Sequence, residues 1–285
     1  MQDNDIKLIS VLERIANALE GRPEAPAAPA LDPSVNAYVY EAERHALQPV
    51  RHVSAPPLAL VLGVDRPRDA LLENTRRFAR GAAANNALLW GARGMGKSTL
   101  VKAVHQAVLP ESPLSLVEIH REDIAALPAL LTILKAADGR FIIFCDDLSF
   151  DQPDRDFKAL KSVLEGGLEG RPDNVIFYAT SNRRHLLPRQ MMDQEAATGI
   201  HPTEAMDETI ALSDRFGLWL GFYPCDQDIY LGIVRGYLAH FGLDTSGDWM
   251  AAALEWSKTR GNRSGRTAWQ FVTAWAGEAG KSVAF

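Results

Sequence analysis

Gly91-Ala92-Arg93-Gly94-Met95-Gly96-Lys97-Ser98-Thr99 sets three glycines ahead of a lysine and two hydroxyls. Glycine lets the backbone curl until successive N–H groups point inward, and such a concavity binds anions. A helix opening at Lys97 would add the positive end of its dipole. The spacing fits G-x-x-x-x-G-K-[ST]; in that pattern the lysine reaches the β- and γ-phosphates of a nucleotide and the next hydroxyl ligates Mg²⁺. Lys97 and Ser98 hold those positions, so ATP and Mg²⁺ are the expected ligands. A glycine-rich turn with a chance lysine is the plain alternative. Against it, the apolar run Ala87–Trp90 precedes the loop and a helical pattern follows it.

A second group lies downstream. Phe141-Ile142-Ile143-Phe144-Cys145-Asp146-Asp147 is an apolar run ending in two carboxylates. In open α/β sheets ligands sit at the carboxyl ends of strands, where a charge can face the ligand without entering the core. Asp146 is the candidate Mg²⁺ partner, coordinating directly or holding a ligand water, and Asp147 the candidate group polarising an attacking water. A strand that simply ends in turn-favouring aspartates would look the same in isolation. The glycine loop upstream favours the chemical reading.

The elements that must position these groups follow from periodicity. Ala87–Trp90, Leu114–Ile119, Phe141–Cys145, Asn174–Ala179 and Leu218–Tyr223 read as strands. Lys97–Val108, Glu122–Ala137 and Asp156–Leu168 read as helices between them. The alternation predicts an α/β fold with a doubly wound parallel sheet of the P-loop NTPase type. Before it, residues 37–48 are expected to be helical, Leu58–Val64 is an apolar run, and Arg68–Arg80 is a helix closed by Gly81. After it, Gln227–Phe241, Asp248–Arg260 and Arg266–Gly277 have helical spacing with no strand between them, predicting a C-terminal helical lid domain. At the other end, residues 5–20 carry apolar residues at helical spacing, and four prolines between 23 and 33 predict a semi-stiff linker. The expected organisation is an amphipathic helix over 1–21, a Pro/Ala-rich linker over 22–35, a nucleotide-binding α/β domain over 36–225 and a lid over 226–285. The first helix either packs on the body or docks a partner.

Composition sets limits. Of 285 residues 47% are apolar, enough for a sizeable core without disulfides or a structural metal. A net charge of −6 argues against a chain-wide basic footprint for nucleic acid, although a local basic patch is compatible with it. Cys145 and Cys225 form no CxxC pair and sit in apolar runs, so a zinc site is not expected and a reducing compartment is. The acidic start and the absence of a run near 20 apolar residues predict a cytoplasmic protein that does not enter membranes.

The glycine loop, the acidic strand end, Tyr178-Ala179-Thr180-Ser181-Asn182, Leu212-Ser213-Asp214-Arg215-Phe216 and Ser264-Gly265-Arg266 stand in the order of AAA+ ATPases, which they resemble. Asn74-Thr75-Arg76-Arg77-Phe78, Asn85–Gly91, Phe144–Phe150 and Leu212–Tyr223 are similar to a bacterial family of predicted AAA+ ATPases catalogued as a domain of unknown function. That resemblance runs from about residue 36 to the C-terminus. It implies that Asn182 is the sensor orienting the water or γ-phosphate, with Ser181 or Thr180 as alternatives. It implies that Arg215 is an arginine finger offered to ATP in a neighbouring copy, hence a homo-oligomer, and that Arg266 is a second sensor reaching in from the lid. Arg263 and Arg260 are rivals for the last role. The backbone at Leu62-Gly63-Val64-Asp65 stands where such proteins contact the base. One departure is plain: many relatives carry Asp-Glu where this chain has Asp146-Asp147, and the shorter carboxylate predicts slow hydrolysis or a shifted backbone.

Three functions fit these residues. The first is an ATPase hydrolysing ATP to ADP and phosphate to do conformational work on an unidentified protein client. The second is a slow or non-hydrolysing ATP-gated switch, and the third a nucleic-acid-associated loader, although nothing resembling a helix-turn-helix is present. A small-molecule kinase would leave the arginine pattern unexplained. The long segment Arg183–Ile210 is a solvated excursion or a client contact, and its His185 has no chemistry assigned.

Overall fold

A computed structural model describes residues 31–32, 34–150, 155–165, 171–184, 186 and 215–285. The expected helix over 1–21, most of the linker over 22–35, and most of Arg183–Ile210 with His185 lie outside the described residues, as do Leu212, Ser213 and Asp214.

Seven strands form one sheet: β1 (Ala37–Glu41), β2 (Ala46–Pro49), β3 (Ala87–Gly91), β4 (Ser115–Glu118), β5 (Phe141–Cys145), β6 (Val175–Ser181) and β7 (Leu218–Phe222). Their order is β2-β1-β4-β5-β6-β3-β7. Every pairing is parallel except that of β1 with β2. Central strands of a parallel sheet are covered on both faces, and all five residues of β5 and all seven of β6 are buried. The period of two divides their side chains. Ile142, Phe144, Ile176 and Tyr178 enter one core, together with Leu71 and Phe78 of α1 (Asp65–Ala79) and Leu100 and Val104 of α2 (Lys97–Val108). Phe141, Ile143, Val175 and Phe177 enter the other, with Leu130 and Leu134 of α3 (Leu127–Ala136) and Phe157 and Leu160 of α4 (Arg155–Glu165). The first turns of the expected helix at Glu122 are 3₁₀, over Arg121–Ala126.

One expectation is overturned. Residues 37–48 form a hairpin, not a helix: β1, a 3₁₀ turn over Ala42–Arg44, and β2. The helix formers Ala42, Glu43, Arg44 and Ala46 suggest a helix locally. The alternating Ala37-Tyr38-Val39-Tyr40 run instead pairs with β4, placing Tyr38 against Val117 and burying Tyr40 completely. His45 adopts a left-handed φ of 48° to close the turn, and its Nδ1 bonds the Tyr40 hydroxyl at 2.9 Å. Pro49 is tolerated because β2 is an edge strand.

Helix α1 is pinned by polar bonds. Asn74 Nδ2 donates to the Tyr178 hydroxyl at 3.0 Å and to the Asn85 carbonyl at 2.9 Å, and Asn74 Oδ1 accepts from Asn85 N at 3.0 Å. Thr75 Oγ1 meets the same hydroxyl at 2.9 Å. These bonds set the entry of β3, and through it the glycine loop.

The lid comprises α5 (Gln227–His240), α6 (Trp249–Thr259) and α7 (Gly265–Glu278), with a core of its own around Tyr230, Val234, Leu238, Ala268 and Val272. Each helix begins at a side-chain cap: Asp226 accepts from Ile229 N at 2.8 Å, Asp248 from Ala251 N at 3.2 Å and Ser264 from Thr267 N at 3.1 Å. Among the described residues no helix is long and apolar enough to cross a membrane.

Candidate nucleotide site

The carboxyl ends of β5, β6 and β3 are adjacent in the sheet, and the sequence-marked residues gather there. The loop leaves β3 at Gly91, whose φ of 139° belongs to glycine; a Cβ there would lie 2.0 Å from the Phe222 carbonyl oxygen. Gly94 and Gly96 also have positive φ, at 80° and 86°, and Gly96 hands the chain to α2. The loop therefore ends on a helix N-terminus whose first residue is Lys97.

Lys97 is 6% exposed. Its ammonium donates to the carbonyls of Gly91 at 2.8 Å and Ala92 at 2.9 Å and to Asn182 Oδ1 at 3.0 Å. Burial lowers its pKa below the usual lysine value; the carboxylates of Asp146 and Asp147 oppose that shift, while Arg266 and Arg93 add to it.

Ser98 Oγ and Thr180 Oγ1 each donate to Asp146 Oδ1 at 2.5 Å. Thr180 Oγ1 also accepts from Asp147 N at 2.9 Å. Asn182 Nδ2 donates to Asp147 Oδ1, so Asn182 bridges Lys97 and Asp147. Asp147 has a φ of 50°, in the left-handed region that Asp enters more readily than longer side chains do. The backbone at the second carboxylate is thus shifted from the extended strand before it. Of the three candidates for the sensor, Asn182 alone bonds both Lys97 and Asp147. Thr180 serves Asp146, and Ser181 Oγ accepts from Arg183 N at 3.2 Å.

The lid touches the loop directly. Arg266 N donates to the Gly94 carbonyl at 3.3 Å, and the Ser264 hydroxyl is 3.0 Å from where a Gly94 Cβ would stand. Arg266 lines the cavity with Arg93–Thr99, Asp146, Asp147, Thr180 and Asn182; Arg263 and Arg260 do not. Arg260 stacks on Trp256 instead, 3.4 Å from the ring centroid.

The cavity is about 690 Å³, within the range that holds one small organic ligand. It also has an apolar wall, formed by Leu60, Val61 and Leu62 from the body and Ile233, Tyr237, Trp269 and Phe285 from the lid side. Gly63 and Val64 line it as well, so three residues of the sequence-marked stretch Leu62-Gly63-Val64-Asp65 border the cavity. Sequence reasoning missed this lid-side wall. Spacing carried a faint signal: Ile233 and Tyr237 are four apart on α5, and Trp269 follows Arg266 by three on α7. Lys102, one turn beyond Ser98, was missed too and also lines the cavity.

Ser98 and Asp146 supply two hard oxygen donors side by side. Mg²⁺ usually takes one or two protein oxygens and completes its octahedron with phosphate and water, so the pair fits that ion. Arg215 is elsewhere. It precedes β7, whose carboxyl end, Phe222, is the end beside Gly91. At about 3.3 Å per strand residue, β7 alone puts roughly 15 Å between Arg215's end of the sheet and the loop. There it forms an ion pair with Glu165 at the end of α4.

Compared with known proteins, residues 33–279 match the family described as "Protein of unknown function (DUF815)". None of the curated proteins compared matches the chain. Among solved structures it is similar to domain III of the Thermotoga maritima replication initiation protein DnaA, with TM-score 0.53, 15% identity, and 81% of this chain and 94% of that one covered. It is similar to a point variant of Thermotoga maritima RuvB, with TM-score 0.51, 15% identity, and 76% and 63% covered. Against the Thermotoga maritima RuvB Holliday junction branch migration motor the values are 0.48 and 15%, with 73% and 60% covered, so this chain spans about 60% of that one. At such identities the likeness is one of fold: a AAA+ core of mostly parallel strands followed by helices.

Proposed function

We propose that this chain, which belongs to the DUF815 family and has the AAA+ P-loop fold, binds ATP with Mg²⁺ and hydrolyses it to ADP and phosphate in an oligomer, driving conformational work on a macromolecular client. The observation that carries the proposal is the Lys97–Asn182–Asp147 chain of hydrogen bonds beside the Ser98–Asp146 pair. It joins a phosphate-binding cation, a carboxylate and an amide in one cavity.

In this reading the phosphates lie along the N–H groups of 91–99, and Lys97 exchanges the Gly91 and Ala92 carbonyls for phosphate oxygens. Mg²⁺, when bound through Ser98 and Asp146, spreads the negative charge of the β- and γ-phosphates. Asp147 accepts a hydrogen bond from the attacking water, and Asn182 holds both that carboxylate and the γ-phosphate in line. Arg266 reaches the γ-phosphate from α7, linking nucleotide occupancy to the angle of the lid. Arg215 is too far from its own loop and acts on a neighbouring copy, which makes an oligomer part of the active form. Preorganised charge of this kind is worth several powers of ten in phosphoryl transfer.

A second reading is favoured by one observation: Asp147 is both shorter than the usual glutamate and held left-handed. If its carboxylate stays on Asn182, hydrolysis is slow and the ATP-bound, lid-closed state is the signal. Titration with ATP·Mg²⁺ tests the common part of both. Wild type should bind, Lys97→Ala should not, and Ser98→Ala should lose the Mg²⁺ dependence. Equal binding by wild type and Lys97→Ala would remove the site assignment.

A further inference from the structure

Beyond α7 the chain doubles back. Lys281 N donates to the Ala276 carbonyl at 2.8 Å, and Lys281 Nζ donates to the Gly242 carbonyl at 2.9 Å. These bonds fix the segment to the end of α7 and the turn after α5. Four residues later Phe285 stands beside Trp269, seven positions before Ala276 on the same helix. Residues 281–285 therefore run antiparallel to α7, toward the nucleotide cavity.

Phe285 arrives among aromatic rings. Its centroid is 4.8 Å from that of Trp269, 4.9 Å from Phe241 and 5.5 Å from Tyr237. These are separations at which aromatic rings attract. Only part of Phe285 is covered by them, and it lines the same cavity as the glycine loop. Trp269, its nearest ring neighbour, is one helical turn from Arg266, so the two project from one face of α7. Arg266 marks the phosphate end of that face; Phe285 and Trp269 lie further along it. Tyr237 adds a hydroxyl with no hydrogen-bond partner among the described residues, and burial pushes its pKa up to about 12, so it remains a donor.

We propose that Phe285 is a nucleotide-retaining residue: with Trp269 and Tyr237 it walls the base-and-sugar end of the cavity, so that residues 281–285 act as a strap holding ATP under the lid. The proposal rests on the ATP reading above and adds to it a determinant for the base, separate from those for the phosphates. Packing against a nucleobase is sequence-tolerant and strong for its size, because every base offers a π face.

The test is titration of the full chain with ATP and, in parallel, with inorganic tripolyphosphate, both with Mg²⁺. Tripolyphosphate offers the loop its phosphates without a base. If wild type binds neither, the ATP reading fails whatever Phe285 does. If wild type binds both, Phe285→Ala should weaken ATP about tenfold and leave tripolyphosphate unchanged, and Phe285→Tyr should restore ATP affinity. Unchanged ATP affinity in Phe285→Ala would overturn the proposal. So would equal weakening of both ligands, which is what loss of lid support alone would produce. Should Phe285→Ala melt the lid, Phe285→Leu keeps apolar bulk without a ring and carries the same comparison.

Discussion

Asp147→Glu would restore the residue common at this position in AAA+ relatives, and the structure predicts that it makes this protein worse. Two quantities set the size of the effect. The φ of Asp147 is 50°, a conformation that costs an L-residue on the order of 1 kcal/mol and from which Asp and Asn are partly exempt. A glutamate should therefore lower stability by about 1 kcal/mol, or about 2–4 °C in melting temperature for a chain of this size. The added methylene also carries the carboxylate about 1.5 Å past its bond to Asn182. Displacement by about 1 Å can cost on the order of a hundredfold in rate. The assay is thermal melting without nucleotide, followed by phosphate release at saturating ATP. Asp147→Asn is the control: it tolerates the same φ, so its melting temperature should hold while turnover disappears. An Asp147→Glu variant that melts like wild type and turns over as fast or faster would refute the reasoning, and would mean that the left-handed backbone is no constraint on the site.

Other expectations follow from single contacts. Gly91→Ala drives a Cβ to 2.0 Å from the Phe222 carbonyl oxygen, so chemical denaturation should show a loss of about 3–5 kcal/mol and weakened β3–β7 pairing. Tyr178→Phe leaves the buried Asn74 and Thr75 groups without their shared hydroxyl, and the same measurement should show about 1–3 kcal/mol. Because the pKa of Lys97 is lowered by burial, the unfolded chain holds this proton more tightly than the folded one. Stability without nucleotide should rise between the folded pKa and 10.5, while ATP affinity should fall in that same window, below the ordinary lysine range. A pH series of ATP titrations and melts reads both; ATP affinity constant up to 10.5 would exclude Lys97 as the phosphate cation.

Much of this arrangement was legible because its signals are local. Glycines with fixed spacing and an apolar strand ending in Asp146-Asp147 announce themselves within a few residues. The strands β3, β5 and β6 were readable because burial on both faces demands an unbroken apolar run. What was not legible depends on distant parts of the chain. Residues 37–48 look helical until β4 offers Tyr38 and Val39 a parallel partner. The left-handed turn at Asp147 is stabilised by Thr180, 33 residues away, and nothing around Asp147 signals it. The apolar wall of the cavity combines Leu60 and Leu62 with Tyr237, Trp269 and Phe285, residues that reach one place only once the lid has folded over the sheet. Arg215 was marked by its phrase, but its ion pair with Glu165 was not.

The central claim is tested most directly by steady-state phosphate release per subunit, measured across protein concentration for wild type and for Arg215→Ala. The account predicts a rate per subunit that rises with concentration in wild type. In Arg215→Ala that rate should fall by several powers of ten while ATP binding is retained. A rate independent of concentration and unchanged in Arg215→Ala would contradict the assembly of the site between copies; tight ATP binding with no turnover at any concentration would contradict hydrolysis and leave the ATP-gated switch.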